Sequence, residues 1–130
     1  IVTREFDLPI LNNRDISDAV RAFLVRSGRG RVRVLVRDPT QAILRGHRLI
    51  LASQRLSTFI EIRRFGQEYF NFNTGLLLAD RIGTIVRRFG DRYEGEVCFR
   101  NPVEGRDWGR VFDDMWTNSV ADPNFRSMHI

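Results

Sequence analysis

Residues with the chemistry and spacing of a binding or catalytic strand occur in the stretch FNFNTGLLLADRIGTIVRRFG, residues 70–90. Its pattern predicts a strand, a turn at residues 80–83 and a second strand. Asn71 and Asn73 stand at alternate positions, so both side chains would lie on one face of the first strand. That face would either bind a ligand through amide hydrogen bonds or face solvent on an antiparallel sheet.

The first strand of this hairpin closes on an acid, Asp80, which is followed by Arg81 and Gly83. A carboxylate at this position could bind a ligand or take part in proton transfer. The same Asp-Arg-Ile-Gly string also has the composition of an ordinary turn, and that alone would account for the acid. Asp80 and Arg81 are therefore candidate site residues with a structural alternative.

Further candidates lie in the first half of the chain. His47 stands between Arg45 and Arg48, where neighbouring cations would depress the pKa of the imidazole and could hold an anion beside it. The alternative is a partly buried helix histidine that is hydrogen-bonded to a neighbouring element. Several arginines at strand ends or helix faces could converge on one cleft: Arg37, Arg45, Arg48, Arg63, Arg64 and Arg81. The predicted ligand-binding residues are Arg37, Asp38, His47, Arg48, Asn71, Asn73, Asp80 and Arg81.

All 21 basic residues are arginine, and the net charge is +5. A basic domain attracts phosphate, nucleic acid or an acidic partner, although these arginines are scattered with no run longer than two. Without lysine the chain cannot form a Schiff base or use a P-loop lysine or a lysine general acid. One cysteine and two histidines far apart, His47 and His129, do not make a structural zinc site. We predict no metal and no cofactor.

The single cysteine, Cys98, excludes an intramolecular disulfide and favours a reducing, cytoplasmic setting. The alternating segment around it predicts a half-buried, unreactive thiol. No apolar run approaches the roughly 20 residues of a membrane helix, so we expect no membrane span. The first residue is Ile1, which is typical of a processed chain or of the C-terminal part of a longer protein.

Hydrophobic periodicity predicts a single α/β domain over residues 1–130. The predicted order is β-α-β-α-β, followed by three further strands, an amphipathic helix and an irregular tail. The opening strand would be an edge strand or an extended lead-in, because it ends at Pro9. The pattern of residues 41–57 predicts one long helix that contains Gly46. Together these elements predict a mixed, mostly parallel sheet flanked by helices on both faces.

This order of elements and several local strings resemble one repeat of the phospholipase D-like superfamily, over residues 15–119. The strings are VRVLVRD, GHRLILASQRL leading to FIEIRR, and a late helix with FDDMW. The resemblance implies a phospholipase D-like α/β fold, in which one strand carries the catalytic signature HxKxxxxD. If Asp80 is the acid, the histidine position falls on Asn73 and the lysine position on Gly75. In that family the histidine attacks phosphorus and the lysine stabilises the phosphoryl oxygens, so hydrolysis by this route is excluded.

The strings GHRLILASQRLSTFIEIR and LLLADRIGTIVR, with the ending from FDDMW to DPNFR, also resemble an uncharacterised bacterial family. That resemblance implies short proteins or a region that follows an acetyltransferase-type domain, hence an N-terminal partner domain, and no particular activity. Single-repeat members of the phospholipase D-like superfamily pair two copies across the active-site cleft, which implies a homodimer.

These observations predict a non-catalytic accessory, regulatory or binding domain. The alternative is the binding of nucleic acid or a phosphate ligand through an arginine-rich cleft, which the scattered arginines disfavour. A third hypothesis is an enzyme of another type that uses Asp38, His47 or Asp80.

Overall fold

The structure is a computed structural model that describes residues 1–125. Within those residues seven strands form one sheet: β1 (Val2–Thr3), β2 (Val32–Val36), β3 (Ile60–Arg64), β4 (Gly75–Ala79), β5 (Gly83–Arg87), β6 (Glu96–Cys98) and β7 (Val120–Ala121). The helices of the same residues are α1 (Leu8–Leu11), α2 (Arg14–Ser27), α3 (Thr40–Arg45), α4 (Arg48–Arg55) and α5 (Pro102–Thr117). Short 3₁₀ turns occupy Gln67–Tyr69 and Pro123–Phe125.

The sheet has the strand order β6-β5-β4-β1-β2-β3-β7. β1, β2 and β3 are parallel neighbours, whereas the other four pairings within residues 1–125 are antiparallel. The predicted α/β class and the mixed sheet are confirmed, but the prediction that the sheet is mostly parallel is wrong. The reason is that β4 joins the free side of β1 in the opposite direction, and β7 does the same at β3.

The opening strand lies in the interior of the sheet, so its prediction as an edge strand or lead-in is wrong. Val2 aligns with Leu35 of β2 on one side and with Leu76 of β4 on the other. The strand is short because Phe6 and Asp7, which have positive φ angles, turn the chain into α1.

Each face of the sheet has its own hydrophobic core. On one face α2, α3 and α4 cover the parallel strands, and the buried side chains include Leu24, Val34, Val36, Ala42, Leu49, Ile50, Ile60 and Ile62. On the other face α5 packs against the hairpin and the middle of the sheet through Val2, Leu35, Leu76, Val86, Phe112 and Met115. Successive residues of β2 point to opposite cores, as the two-sided pattern of this strand predicted.

Gly46 divides the predicted long helix into α3 and α4. Its φ of 71° is left-handed, and its N–H donates to the carbonyls of Ala42 and Ile43 at the end of α3. The next residue, His47, is extended and caps α4 by accepting a hydrogen bond from the N–H of Leu49. Glycine commonly ends a helix and a polar residue commonly starts one. The prediction of one continuous helix is therefore wrong.

The tail that was predicted to be irregular is ordered as far as Phe125. β7 pairs with the end of β3, where Ala121 aligns with Arg63, and Phe125 is buried in the core beneath the helices. The prediction is wrong for this segment because strand pairing and burial organise it. Residues 126–130, which include His129, lie outside the described residues.

α5 approaches the turn between β4 and β5 so closely that a side chain at Gly105 would collide with the backbone of Arg81. We expect Gly105→Ala to lower the free energy of unfolding by about 1–3 kcal/mol, because overpacking against backbone outweighs the gain in helix propensity. Gly109→Ala is the matched control in the same helix, since its methyl group would meet only the flexible side chain of Arg81. Urea unfolding measures both, and equal stabilities of the two variants would contradict this contact.

Candidate functional site

The carboxyl-terminal edge of the parallel strands positions a candidate site. In open α/β sheets, ligands bind outside the carboxyl ends of the strands, where the strand order changes direction. Here that point lies beside β1, because β2 and β3 extend the sheet on one side and β4 extends it on the other. Four arginines end strands at this edge or follow them directly: Arg4, Arg37, Arg64 and Arg87.

Arg4 and Asn73 meet where β1 ends and β4 begins. Nη1 of Arg4 donates a hydrogen bond to Oδ1 of Asn73 at 2.8 Å. Arg4 lines a cleft of about 380 Å³, together with residues that include Glu5, Asp7, Gln41, Arg45, Arg87 and Asp91. β4 begins only at Gly75, so Asn71 and Asn73 lie in the preceding loop. Their predicted place on one face of a strand is wrong, because Asn73 forms hydrogen bonds with Arg4 and the N–H of Gly90 in this loop instead of standing within β4.

Asp7 and Arg87 form an ion pair in the wall of this cleft. Oδ2 of Asp7 lies 2.8 Å from Nη1 of Arg87, and the two side chains are only 18% and 12% exposed. The same carboxylate oxygen accepts a hydrogen bond from Oγ1 of Thr3 at 3.1 Å. Because both charges are largely removed from water, the loss of either one would leave the other uncompensated.

The backbone at Phe6 and Asp7 is left-handed, with φ angles of 70° and 39°. A positive φ is unfavourable for a bulky residue such as phenylalanine and persists only where surrounding contacts hold it. The N–H of Phe6 donates to Oγ1 of Thr3 at 3.0 Å. The Phe6 ring is fully buried and lies against the ring of His47, with 4.8 Å between centroids. The wall of the cleft is therefore a strained turn held by buried neighbours.

His47 is fully buried, and both of its ring nitrogens form hydrogen bonds. Nδ1 accepts from the N–H of Leu49 at 3.1 Å, so the proton of the neutral ring is on Nε2, which donates to the carbonyl of Phe6 at 3.1 Å. Burial lowers the pKa of His47 below its usual 6.5, and the hydrogen bond to Phe6 opposes that shift. The geometry matches the buried, hydrogen-bonded alternative, and the ring has no free nitrogen for a ligand.

Asp38 lies between Arg37 and Arg64 at the ends of β2 and β3. Its Oδ1 accepts hydrogen bonds from the N–H and Oγ1 of Thr40, at 3.1 and 2.7 Å. These hydrogen bonds lower the pKa of Asp38, and the charges of Arg64 and Arg37 lower it further. Asp38 is therefore ionised at neutral pH and holds the start of α3, so it is not placed as a general acid.

Arg37 has an unusual position at this edge. Its guanidinium lies over the ring of Phe70, 5.3 Å from the ring centroid. Its Nε is buried and has no hydrogen-bond partner among the described residues. A buried donor of this kind would gain from an acceptor that a ligand supplies.

Asp80 and Arg81 lie beyond the far end of β4 from Asn73. The predicted turn is confirmed, because the N–H of Ile82 donates to the carbonyl of Ala79 at 3.0 Å. Asp80 and Arg81 both have positive φ, as in a type I′ hairpin. The whole of β4 separates Asn73 from Asp80, a length of about 17 Å at the usual rise per residue. Asn73 and Asp80 therefore do not share a site.

Arg81 instead belongs to a cluster that fastens α5 to the sheet. Arg81 and Arg33 both pair with the carboxylate of Asp113. The guanidinium of Arg33 also lies over the rings of Phe112 and Trp116, 4.8 and 5.3 Å from their centroids. This cluster lines a second cavity, of about 540 Å³. Its arginines are occupied by α5, so we assign them a structural role.

The predicted set of site residues is not brought together. Arg37, Asp38 and Asn73 lie at the carboxyl edge, while Arg48 and Asn71 have exposed side chains without a hydrogen bond or ion pair within residues 1–125. The residues that sequence reasoning missed are Thr3, Arg4, Asp7 and Arg87. For Arg4 and Arg87 the sequence did offer a signal, because both arginines stand directly at the ends of strands. The turn at Asp7 had no marker, because neither of its left-handed residues is glycine.

Charge is divided unevenly along the chain. Residues 14–64 contain twelve arginines and four acids, and residues 39–60 contain no acid. The cleft beside β1 has equal numbers of each sign among its lining residues: Arg4, Arg45 and Arg87 against Glu5, Asp7 and Asp91. This cleft therefore lacks the excess of arginine that the alternative hypothesis of a phosphate-binding cleft requires, and the excess lies around α2, α3 and α4.

A family model with the description Domain of unknown function (DUF7931) matches residues 1–128. No curated protein and no solved structure matches the chain significantly. In the described part of the chain, no helix is long and apolar enough to cross a bilayer. Nor do any three His, Cys, Asp or Glu side chains there form a group that could hold a metal ion.

The buried His47 predicts a pH dependence of stability. Folding lowers its pKa from the usual 6.5. Below pH 6.5 the imidazole is therefore protonated in the unfolded chain, whereas in the folded chain it stays neutral until the pH reaches the lower, folded-state pKa. The free energy of unfolding should then fall with decreasing pH, by at most about 1.4 kcal/mol per unit, and level off below the folded-state pKa. Above that window His47 should have no effect on the pH profile.

Urea unfolding between about pH 5.5 and 7.5 tests this, because most carboxylates stay ionised in that range. The control is His47→Asn, which keeps an N-cap acceptor and removes the titrating ring. The variant should be less stable overall but show a flatter pH profile. His129 is present in both proteins, so its contribution to the pH profile cancels in the comparison. Parallel profiles for the two proteins would contradict the buried neutral ring.

Proposed function

The chain belongs to the DUF7931 family. We propose that it is a non-catalytic domain that binds a ligand in an accessory or regulatory role. The family description names no activity, so support comes from the side chains. The observation that carries the proposal is that Asp7 and Arg4, which line the cleft beside β1, are each paired with a neighbouring side chain. Asp7 pairs with Arg87, and Arg4 with Asn73.

Catalysis would require a nucleophile or a general base that is free to reach a substrate. His47 has no free ring nitrogen, and Oδ1 of Asp38 accepts two hydrogen bonds from Thr40 that hold this carboxylate at the start of α3. Paired groups form a rigid rim, which suits recognition of a ligand by shape and hydrogen bonding. The presence of Asn73 and Gly75 at the histidine and lysine positions of the phospholipase D-like signature supports the same proposal.

We expect no hydrolysis of bis(4-nitrophenyl) phosphate, a general phosphodiester substrate, at any pH at which the chain is folded. Neither an amide at Asn73 nor a glycine at residue 75 can attack phosphorus or stabilise its oxygens. Absorbance of released nitrophenolate gives the rate, and Asn73→Ala is the matched control. Both proteins should equal the buffer blank. Turnover by the native chain that disappears in Asn73→Ala would refute the proposal.

A second candidate function is the binding of nucleic acid or another phosphate ligand, and the uneven charge favours it. α2 and α4 cover the same face of the sheet, so their exposed arginines share an outer surface. These are Arg14, Arg21, Arg26, Arg48 and Arg55. Two exposed acids of α2, Asp15 and Asp18, offset them in part, and α3 and α4 carry no acid. Guanidinium groups suit bidentate contacts with phosphate. The unpartnered Nε of Arg37 is a further donor, at the carboxyl edge.

Gel-shift titration of a mixed-sequence DNA duplex over a range of salt concentrations tests this second function. Affinity should fall steeply with salt, because each phosphate contact releases a counterion. Arg48→Glu and Arg55→Glu should weaken binding and lower the salt slope. Arg106→Glu, with the same charge change at an exposed residue of α5, is the control. Absence of binding at low salt, or an equal loss in Arg106→Glu, would rule out this surface.

The setting of the domain belongs to the same proposal. The half-buried Cys98, the single cysteine of the chain, supports a cytoplasmic location. The resemblance to regions that follow an acetyltransferase-type domain supports an N-terminal partner domain. The order of strands and helices from β2 to α5 supports descent from a phospholipase D-like repeat that has lost its catalytic residues.

A further inference from the structure

β6, the outermost strand beside the hairpin, leaves large apolar side chains in water. Val97 is 60% exposed, and Phe99, directly after the strand, is 91% exposed. Tyr93, in the loop that leads into β6, is 66% exposed. Single exposed apolar residues are ordinary on protein surfaces, whereas several around one strand mark a contact surface.

The backbone of β6 is also open on one side. It pairs with β5 through Glu96, Val97 and Cys98, and no other strand of residues 1–125 pairs with its outer side. Such an edge presents unpaired N–H and C=O groups to another strand. The opposite edge of the sheet is β7, which has only two residues. β6 is therefore the longer free edge of the described sheet.

We propose that β6 pairs with the same strand of a second copy of this chain, antiparallel and centred on Cys98. The string Glu-Val-Cys-Phe-Arg, residues 96–100, is complementary to itself in that register. Val97 of each copy lies opposite Phe99 of the other, and Glu96 lies opposite Arg100. One two-fold axis thus creates two apolar pairs and two ion pairs across the contact.

Alternation along the strand assigns the two kinds of pair to opposite faces of the extended sheet. Val97 aligns with Ile85 of β5, on the face of the hairpin opposite α5. The apolar pairs lie on that face and remove exposed side chains from water. The pairing requires the chain to straighten at Phe99, where it bends on its way to α5, so that residues 99 and 100 extend β6.

A second copy fits this edge because the strand supplies its own complement. An unrelated peptide would have to carry an acid, a base and two apolar residues in matching order, which β6 already does. The contact is separate from the pairing across the cleft that the phospholipase D-like resemblance implies. The cleft reaches Tyr93 in the loop before β6, whereas the proposed contact is centred on Cys98 at the other end of the strand. It is also independent of the ligand proposed above.

Size-exclusion chromatography with light scattering, over a dilution series, tests the pairing. The native chain should form a reversible dimer with twice the 15.2 kDa of a single chain. Glu96→Arg and Arg100→Glu each place like charges opposite one another, and each should raise the dissociation constant at least about tenfold. The double variant, Glu96→Arg with Arg100→Glu, restores opposite charges and should restore the dimer.

Two further variants separate the effect of charge from that of the apolar pair. Glu68→Arg makes the same charge change at an exposed residue of the 3₁₀ turn after β3, and it should dimerise like the native chain. Phe99→Lys removes the apolar pair from an exposed position and should give a folded monomer, with folding checked by circular dichroism. A native chain that is monomeric at every concentration overturns the proposal. So does a dimer that none of these β6 variants weakens, or single-variant losses that the double variant does not recover.

Discussion

The left-handed turn at Phe6 and Asp7 is the constraint on which the rest of the structure depends. β1 has only two residues, yet it lies between the parallel strands and the hairpin and so joins the two halves of the sheet. The chain leaves β1 through two consecutive residues with positive φ. The N–H of Phe6 donates to Oγ1 of Thr3, and Nε2 of His47 donates to the carbonyl of Phe6; these buried hydrogen bonds hold that turn, and Arg87 of β5 fastens it to the hairpin. The strain is thus offset by contacts from three separate parts of the chain.

The same contacts hold the wall of the cleft at the carboxyl edge. A fully buried imidazole and an ion pair shielded from water must be hydrogen-bonded, because unpaired polar groups are costly in the interior. His47 and Asp7 meet this requirement through neighbouring elements. His47 and Asp7 therefore hold the turn that forms a wall of the cleft. A site of this kind is suited to binding by a preformed surface.

Charge and exposed apolar area are separated on this fold, which leaves room for more than one partner. The excess of positive charge lies in residues 14–64, which contain twelve arginines and four acids, whereas residues 65–125 contain seven arginines and ten acids. The apolar edge at β6 lies in this second, acidic part. A phosphate-containing ligand on the helices and a second copy at β6 would not compete for the same surface, because the two surfaces belong to different halves of the sheet.

Local patterns in the sequence by themselves determined the α/β class, β2 as a strand between two cores, the turn at residues 80–83 and the part of α5 that begins at Asp107. Each of these depends on hydrophobic period or turn chemistry within a few neighbouring residues. Only the tertiary structure decided that β1 lies inside the sheet, that Arg4 meets Asn73 and that His47 is buried. The contact between Arg4 and Asn73 joins residues 69 apart, and no local pattern encodes which distant strands become neighbours. The strand order decides which residues meet at the candidate site, and that order depends on burying both faces of the sheet.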